Sequence, residues 1–168
     1  FGDGAAFGVD LSYVSEEQPL GTAGALPLVE DLSKPLLIVN GDILTSVNFG
    51  AMREFHVEQE AKITIATTAY EVKVPYGVID APDGVVRGIV EKPSYRYFVN
   101  AGIYIIEPDV IDLIPADTHF NMTDLVPLQI ARGGKVVCFP IREYWLDIGR
   151  PEDFAQAQRD MQQGVLAR

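Results

Sequence analysis

The sequence predicts an α/β fold with a mixed sheet flanked by helices, and three observations carry that expectation. In the first half, strand-length apolar segments alternate with a helix-period one: Pro35 to Val39, then Asn48 to Glu58, then Ile63 to Ala69. From residue 76 the strand-like segments cluster instead, which suits a sheet that is not wholly parallel. The 168 residues, 48% hydrophobic and 22% charged, have the length and mixture of one globular domain with its own core.

The elements follow in order. Val9 to Val14 reads as a short strand, and Thr22 to Leu32 as a helix with Thr22 as candidate N-cap. Pro35 to Val39 is uninterrupted and apolar, the pattern of a strand buried on both faces. Asn48 can cap a helix on which Phe49, Met52 and Phe55 share one face while Arg53, Glu54 and Glu58 face water. Ile63 to Ala69 interleaves threonine with apolar residues, as strands do. Tyr76 to Ile79 and Val85 to Val90 read as two strands joined at Asp83-Gly84, a hairpin signal. Phe98 to Ile106 is β-rich. Short helices are expected at about 108–114 and 123–132, the second with Thr123 as candidate cap. Val136 to Phe139 and Tyr144 to Ile148 read as strands. Pro151 suits the first turn of a closing helix, with Glu152 and Asp153 at its positive end. No linker interrupts the chain, so residues 1–168 are expected to form one domain.

Charge narrows the partners. Thirteen Lys and Arg against 24 Asp and Glu leave −11, which argues against wrapping a nucleic acid backbone. Such a chain can hold a small polyanion where metal ions, single lysines or helix N-termini concentrate positive charge. No apolar run approaches the roughly eighteen residues of a membrane span, and Phe1-Gly2-Asp3-Gly4 lacks the pattern of a signal peptide. The single cysteine, Cys138, lies between Val137 and Phe139 and reads as a core residue. The cytoplasm is the expected compartment. His56 reads as a solvated helix flank and His119 as part of a polar loop. Without a Cys–His pattern, a G-x-S-x-G elbow or clustered histidines, hydrolase triads and zinc chemistry are disfavoured.

Two acids stand out. Leu36 to Val39 ends in Asn40-Gly41-Asp42, which would put an acid at a strand's carboxyl end, where α/β folds gather ligands. By itself this tripeptide also fits a turn that closes a strand. Asp147 lies among Trp145, Leu146 and Ile148, surroundings in which a carboxylate needs a partner. Arg150 and a metal ion are equal alternatives for it. Two such acids at strand ends can together hold one Mg²⁺. Glu91-Lys92-Pro93 follows an apolar strand, so Lys92 is either a point charge for a phosphate or half of a solvated pair. Asn100 interrupts an apolar stretch, and a buried amide there would need partners such as substrate hydroxyls. Pro19-Leu20-Gly21-Thr22-Ala23-Gly24-Ala25 is a glycine-rich turn whose N–H groups could meet a phosphate or a base edge.

Taken together, these motifs resemble the sugar-1-phosphate nucleotidyltransferases, the sugar-nucleotide pyrophosphorylases. The carriers, in family order, are Pro19 to Ala25, Asn40-Gly41-Asp42, Pro75-Tyr76-Gly77-Val78, Glu91-Lys92-Pro93, Asn100-Ala101-Gly102-Ile103-Tyr104 and Trp145 to Phe154. The resemblance implies a Rossmann-like nucleotide-diphospho-sugar transferase fold. It also implies the reaction of an NTP with a sugar 1-phosphate to give an NDP-sugar and pyrophosphate. Carried over, Asp42 and Asp147 are the implied Mg²⁺ ligands and, with Lys92, the catalytic set. Glu16, Gly21, Thr22 and Gly41 fall on the nucleotide side. Tyr76, Gly77, Glu91, Lys92 and Asn100 fall on the sugar-phosphate side. A sugar phosphate is mostly dianionic at pH 7 and needs no general base, which suits a chain with two histidines.

The blocks resemble the mannose-1-phosphate guanylyltransferase-like branch most. Family members that use uracil or thymine place a glutamine five residues before the glycine matching Gly21; Glu16 stands there, with Glu17 beside it. A carboxylate only accepts hydrogen bonds and suits guanine's N–H donors, so GTP is the favoured nucleotide. One departure is large. The family's opening strand and G-x-G-T-R loop have no counterpart, so the chain is expected to lack its first strands and to have little transferase activity alone. A non-catalytic regulatory or assembly relative is the rival reading, and a glycosyltransferase on a related fold a third. No membrane or nucleic acid partner is expected, and a homo-oligomer is compatible with the sequence.

Overall fold

The computed structural model describes residues 1–30 and 32–165. Its early elements are β1 (Leu36–Val39), β2 (Ile43–Thr45), α1 (Phe49–Glu58) and β3 (Ile63–Lys73). A hairpin of β4 (Val78–Asp80) and β5 (Gly88–Val90) precedes the long β6 (Ser94–Ile106). Then come α2 (Met122–Ala131), β7 (Val136–Pro140), β8 (Trp145–Asp147) and α3 (Pro151–Gln162). The class is the mixed α/β one that the sequence predicts. One sheet has the order β1-β6-β3-β7, and two antiparallel pairs, β2–β8 and β4–β5, stand apart from it. No described helix is long and apolar enough to cross a membrane.

The chain divides into two compact units. The first comprises Phe1–Asn40, Gly50–Thr64 and Tyr104–Val137. Its core is Met52, Ile63, Ile106, Val110, Met122 and Leu125, all essentially inaccessible. Each such side chain gains about 1.5–3 kcal/mol by leaving water. The second unit comprises Gly41–Phe49, Ile65–Ile103 and the chain from Cys138. It buries Ala66, Ala101, Ile103, Ile141 and Ala157.

Several expectations fail for identifiable reasons. Residues 9–14 form no strand: Val9, Leu11, Tyr13 and Val14 are exposed and no strand among the described residues pairs with them. Where a helix was expected from Thr22, the chain makes turns and a single 3-10 turn, Leu26–Leu28; Asp31 lies outside the described residues. Pro27 works against a helix there because it lacks an N–H, and the Ala23 and Gly24 N–H groups donate instead to Phe120 O at 2.9 and 3.0 Å. β1 is not buried on both faces but alternates, because it is an edge strand with Leu37 and Val39 exposed. Cys138 is exposed on β7, the opposite edge, and is not a core residue. The helix expected at 108–114 is a 3-10 helix, Pro108–Leu113. α2 is capped by Asn121, not Thr123, through a capping box with Asp124.

His56 corrects the reading of α1. It is buried, not a solvated flank: Nδ1 lies 2.7 Å from Thr64 Oγ1 and Nε2 lies 3.2 Å from Glu107 Oε1. One tautomer satisfies both contacts, with Nε2–H donating to Glu107 and the Thr64 hydroxyl donating to Nδ1. The helix thus buries Met52 and His56, while Phe49 is partly exposed.

In the second unit, the Tyr144 hydroxyl donates to Asp160 Oδ2 on α3 at 2.6 Å, beside β8. Burial, and then the Asp160 carboxylate, push the phenol up to about 12, from an ordinary value near 10. A raised phenol holds its proton longer folded than unfolded. Its contribution is therefore full below pH 10 and is lost as pH rises from about 10 to about 12. Urea midpoints taken across that window should fall in the wild-type protein and fall less in Tyr144→Phe.

Candidate active site

Asp42 closes the turn after β1, and Asp147 ends β8. The antiparallel register sets Ile43 opposite Asp147, Leu44 opposite Leu146 and Thr45 opposite Trp145. Ile148 N–H donates to Asp42 O at 2.9 Å, which closes the end of this short ladder. The two carboxylates converge there. A Cβ built on Gly149 would lie 3.0 Å from Asp147 Oδ1 and 3.4 Å from Asp42 Oδ2. Glycine keeps that space open, and Gly149 N–H donates to Asp147 Oδ1 at 2.9 Å.

The acids line a hollow of about 500 Å³ together with Tyr70, Trp145, Arg150 and Asp153. Trp145 forms a fixed wall, since its indole N–H donates to Ala101 O at 2.8 Å. Two readings of this region need correction. Asp147 is exposed, so it carries no large desolvation cost despite its apolar neighbours. Arg150 does not neutralise it either. Its Nε donates to Asp153 Oδ2 at 2.7 Å, and that carboxylate raises the guanidinium's already high pKa. Sequence reasoning passed over Tyr70 and Asp153. The second was detectable, because an Arg at a helix N-cap and an Asp three residues on lie close across the first turn.

A second group gathers at the open end of the β4–β5 hairpin, where Val78 pairs with Val90. A Cβ on Gly77 would meet Glu91 Oε2 at 3.0 Å, so the carboxylate lies close over the glycine. Lys92 adopts a left-handed backbone, φ 44°, and its N–H donates to Tyr76 O at 3.2 Å. Its Nζ lies 4.0 Å from Glu91 Oε1. The structure thus brings Tyr76, Gly77, Glu91 and Lys92 together, all exposed. Lys92 is not among the residues lining the Asp42–Asp147 hollow. Asn100 is exposed on β6, not buried; its Oδ1 accepts from Gly102 N–H at 3.1 Å.

The remaining candidates, apart from Gly41, belong to the first unit. Glu16 lines a hollow of about 490 Å³ with Glu17, Gln18, Leu20, Leu28 and Asp117. Its Oε2 accepts from Leu20 N–H at 3.0 Å. Thr22 caps no helix of its own: its hydroxyl accepts from Met122 N–H at 3.0 Å, at the start of α2. Gly41, after β1, is exposed, and a side chain there would meet open space.

The sequence matches the family model described as Nucleotidyl transferase over residues 1–164. The chain belongs to the nucleotidyl transferase family. It is 35% identical over 156 residues to a mannose-1-phosphate guanyltransferase of Yarrowia lipolytica, covering 88% of this chain and 43% of that protein. It is 32% identical over 173 residues to a mannose-1-phosphate guanylyltransferase of Mycobacterium tuberculosis, covering 98% and 48%. The chain spans less than half the length of these curated relatives. Among solved structures, HddC from Yersinia pseudotuberculosis complexed with GMP-PN is similar with a TM-score of 0.60 and 27% identity, covering 87% of this nucleotidyl transferase chain and 64% of that one.

Gly21 also has a demonstrable structural duty. It sits at φ 79°, and a Cβ would meet Phe120 O at 2.7 Å and Asn121 Oδ1 at 2.8 Å. Gly21→Ala should therefore cost about 1–3 kcal/mol of stability, read as a lower urea midpoint. An unchanged midpoint would show that the loop relaxes freely around the added methyl.

Proposed function

We propose that the full gene product transfers a nucleoside monophosphate from an NTP to a hexose 1-phosphate, giving an NDP-sugar and pyrophosphate, and that Mg²⁺ is required. The observation that carries this reading is the convergence of Asp42 and Asp147 on the space kept open by Gly149. The donor set fits the ion: two carboxylates offer hard oxygen ligands, and the open hollow has room for its waters and for phosphate oxygens. A bound Mg²⁺ would offset the charge of the reacting phosphates there.

The chain's own residues do the rest. Asp42 and Asp147 would hold the ion. Glu91, Tyr76 and Gly77 would meet the sugar hydroxyls, with Asn100 as a further contact, and Lys92 would meet the sugar phosphate. Glu16, Gly21, Thr22 and Gly41 would meet the nucleotide. Glu16 suits guanine: among the described residues its Oε1 has no hydrogen-bond partner, which leaves an acceptor for base N–H groups. The similarity to guanyltransferases and to a protein crystallised with GMP-PN supports GTP as the nucleotide. The acceptor phosphate is already a dianion near pH 7, so catalysis reduces to in-line positioning and charge neutralisation. The cytoplasm and an assembly of identical subunits belong to this reading as well.

Asp42→Asn and Asp147→Asn should each lower kcat/KM for pyrophosphate release by at least about 100-fold in the full gene product, with unchanged circular dichroism. Chelation of divalent ions should do the same reversibly. Full activity in either variant would remove the acid pair from the chemistry. Failure of the wild-type protein to act on any NTP and sugar 1-phosphate would favour a non-catalytic relative. Equal turnover with GTP, UTP and dTTP would overturn the base assignment.

A further inference from the structure

We propose that Arg150 is a phosphate-contacting residue of the Asp42–Asp147 hollow, an inference that rests on the nucleotidyl-transfer reading. The hollow has an acidic bias, with Asp42, Asp147 and Asp153 in its lining. Phosphate oxygens that enter it need donors as well as a metal ion. Among the described residues, Arg150 is the only cationic side chain that lines it.

The guanidinium is preorganised for that task. Asp153, with only 21% of its side chain exposed, holds Nε at 2.7 Å and so sets the plane of the group. The Arg150 side chain is 73% exposed, and its two Nη atoms have no hydrogen-bond partner among the described residues. A guanidinium anchored through Nε presents its remaining N–H bonds as a fork that matches two oxygens of one phosphoryl group. Asp153 is the positioning residue here. It offsets part of the charge attraction, so it acts on geometry more than on field. Solvent exposure holds the expected gain to the lower end of charge-assisted hydrogen bonding.

The phosphoryl group belongs to the NTP or to the sugar 1-phosphate, and separate KM measurements tell them apart. In the full gene product, Arg150→Gln should raise KM for one of the two about tenfold, with a much smaller change in kcat. Arg150→Lys keeps the charge without the fork and should raise it about threefold. Binding of inorganic pyrophosphate in the presence of Mg²⁺, followed by calorimetry, should weaken about tenfold in Arg150→Gln without any reliance on turnover. Either change, with an unaltered urea midpoint, supports the assignment. Unchanged KM values together with unchanged pyrophosphate affinity would overturn it, as would a wild-type protein that takes up no pyrophosphate. A wild-type protein that binds pyrophosphate through Arg150 yet turns over no NTP would defeat the transferase reading and leave this one standing.

Discussion

The antiparallel pairing of β2 with β8 is the constraint on which the site depends. Six residues in a single register bring two turns, distant in the sequence, to one end of a short ladder. A two-stranded pair this short is weak in isolation. Its surroundings hold it: the Thr45 hydroxyl donates to Tyr144 O at 2.8 Å, Ser46 N–H donates to the same oxygen at 3.1 Å, and Trp145 is tied to Ala101. A slip of one residue would turn Asp147 to the other face and separate the carboxylates. Gly149 completes the arrangement, since any side chain there would occupy the space between them.

Electrostatics then follows a consistent logic in a chain of net charge −11. Positive groups are few, and several are engaged by nearby carboxylates: Lys62 with Asp109, Arg87 with Asp83, Arg150 with Asp153. At exposed positions such pairs add little stability, because water and salt screen them. Their effect is on direction. Arg87 braces the turn of the β4–β5 hairpin, with Asp83 held below the usual carboxylate range chiefly by that arginine. Arg150 has its donors aimed in the same way at the start of α3. Among the described residues the acid pair near Gly149 has no such cationic partner, which is the condition under which a divalent ion is a natural counter-charge.

Much of the fold was legible because its cues are local. The period of Asn48 to Glu58, the Asp83-Gly84 turn, the β-rich run before Ile106 and Pro151 at a helix start each depend on neighbours within a few residues. Misreadings arose where long-range packing decides. Pro35 to Val39 looked doubly buried, yet β1 lies at a sheet edge. Cys138, on the other edge strand, was misjudged in the same way. His56 looked solvated from its helical flank, but Thr64 and Glu107 arrive from elsewhere in the chain to enclose it. Thr22 has the chemistry of a cap, and it serves α2 instead of a helix of its own.

By itself, the sequence determined the residue types, the strand and helix rhythm and the motif blocks that mark the family, since these are properties of composition and short spacing. Only the tertiary structure decided which acids share a space and which candidates meet water. Those outcomes depend on strand register and on groups brought together from distant positions. No local pattern encodes them: Asp147 and Asn100 sit in apolar stretches and are nonetheless exposed.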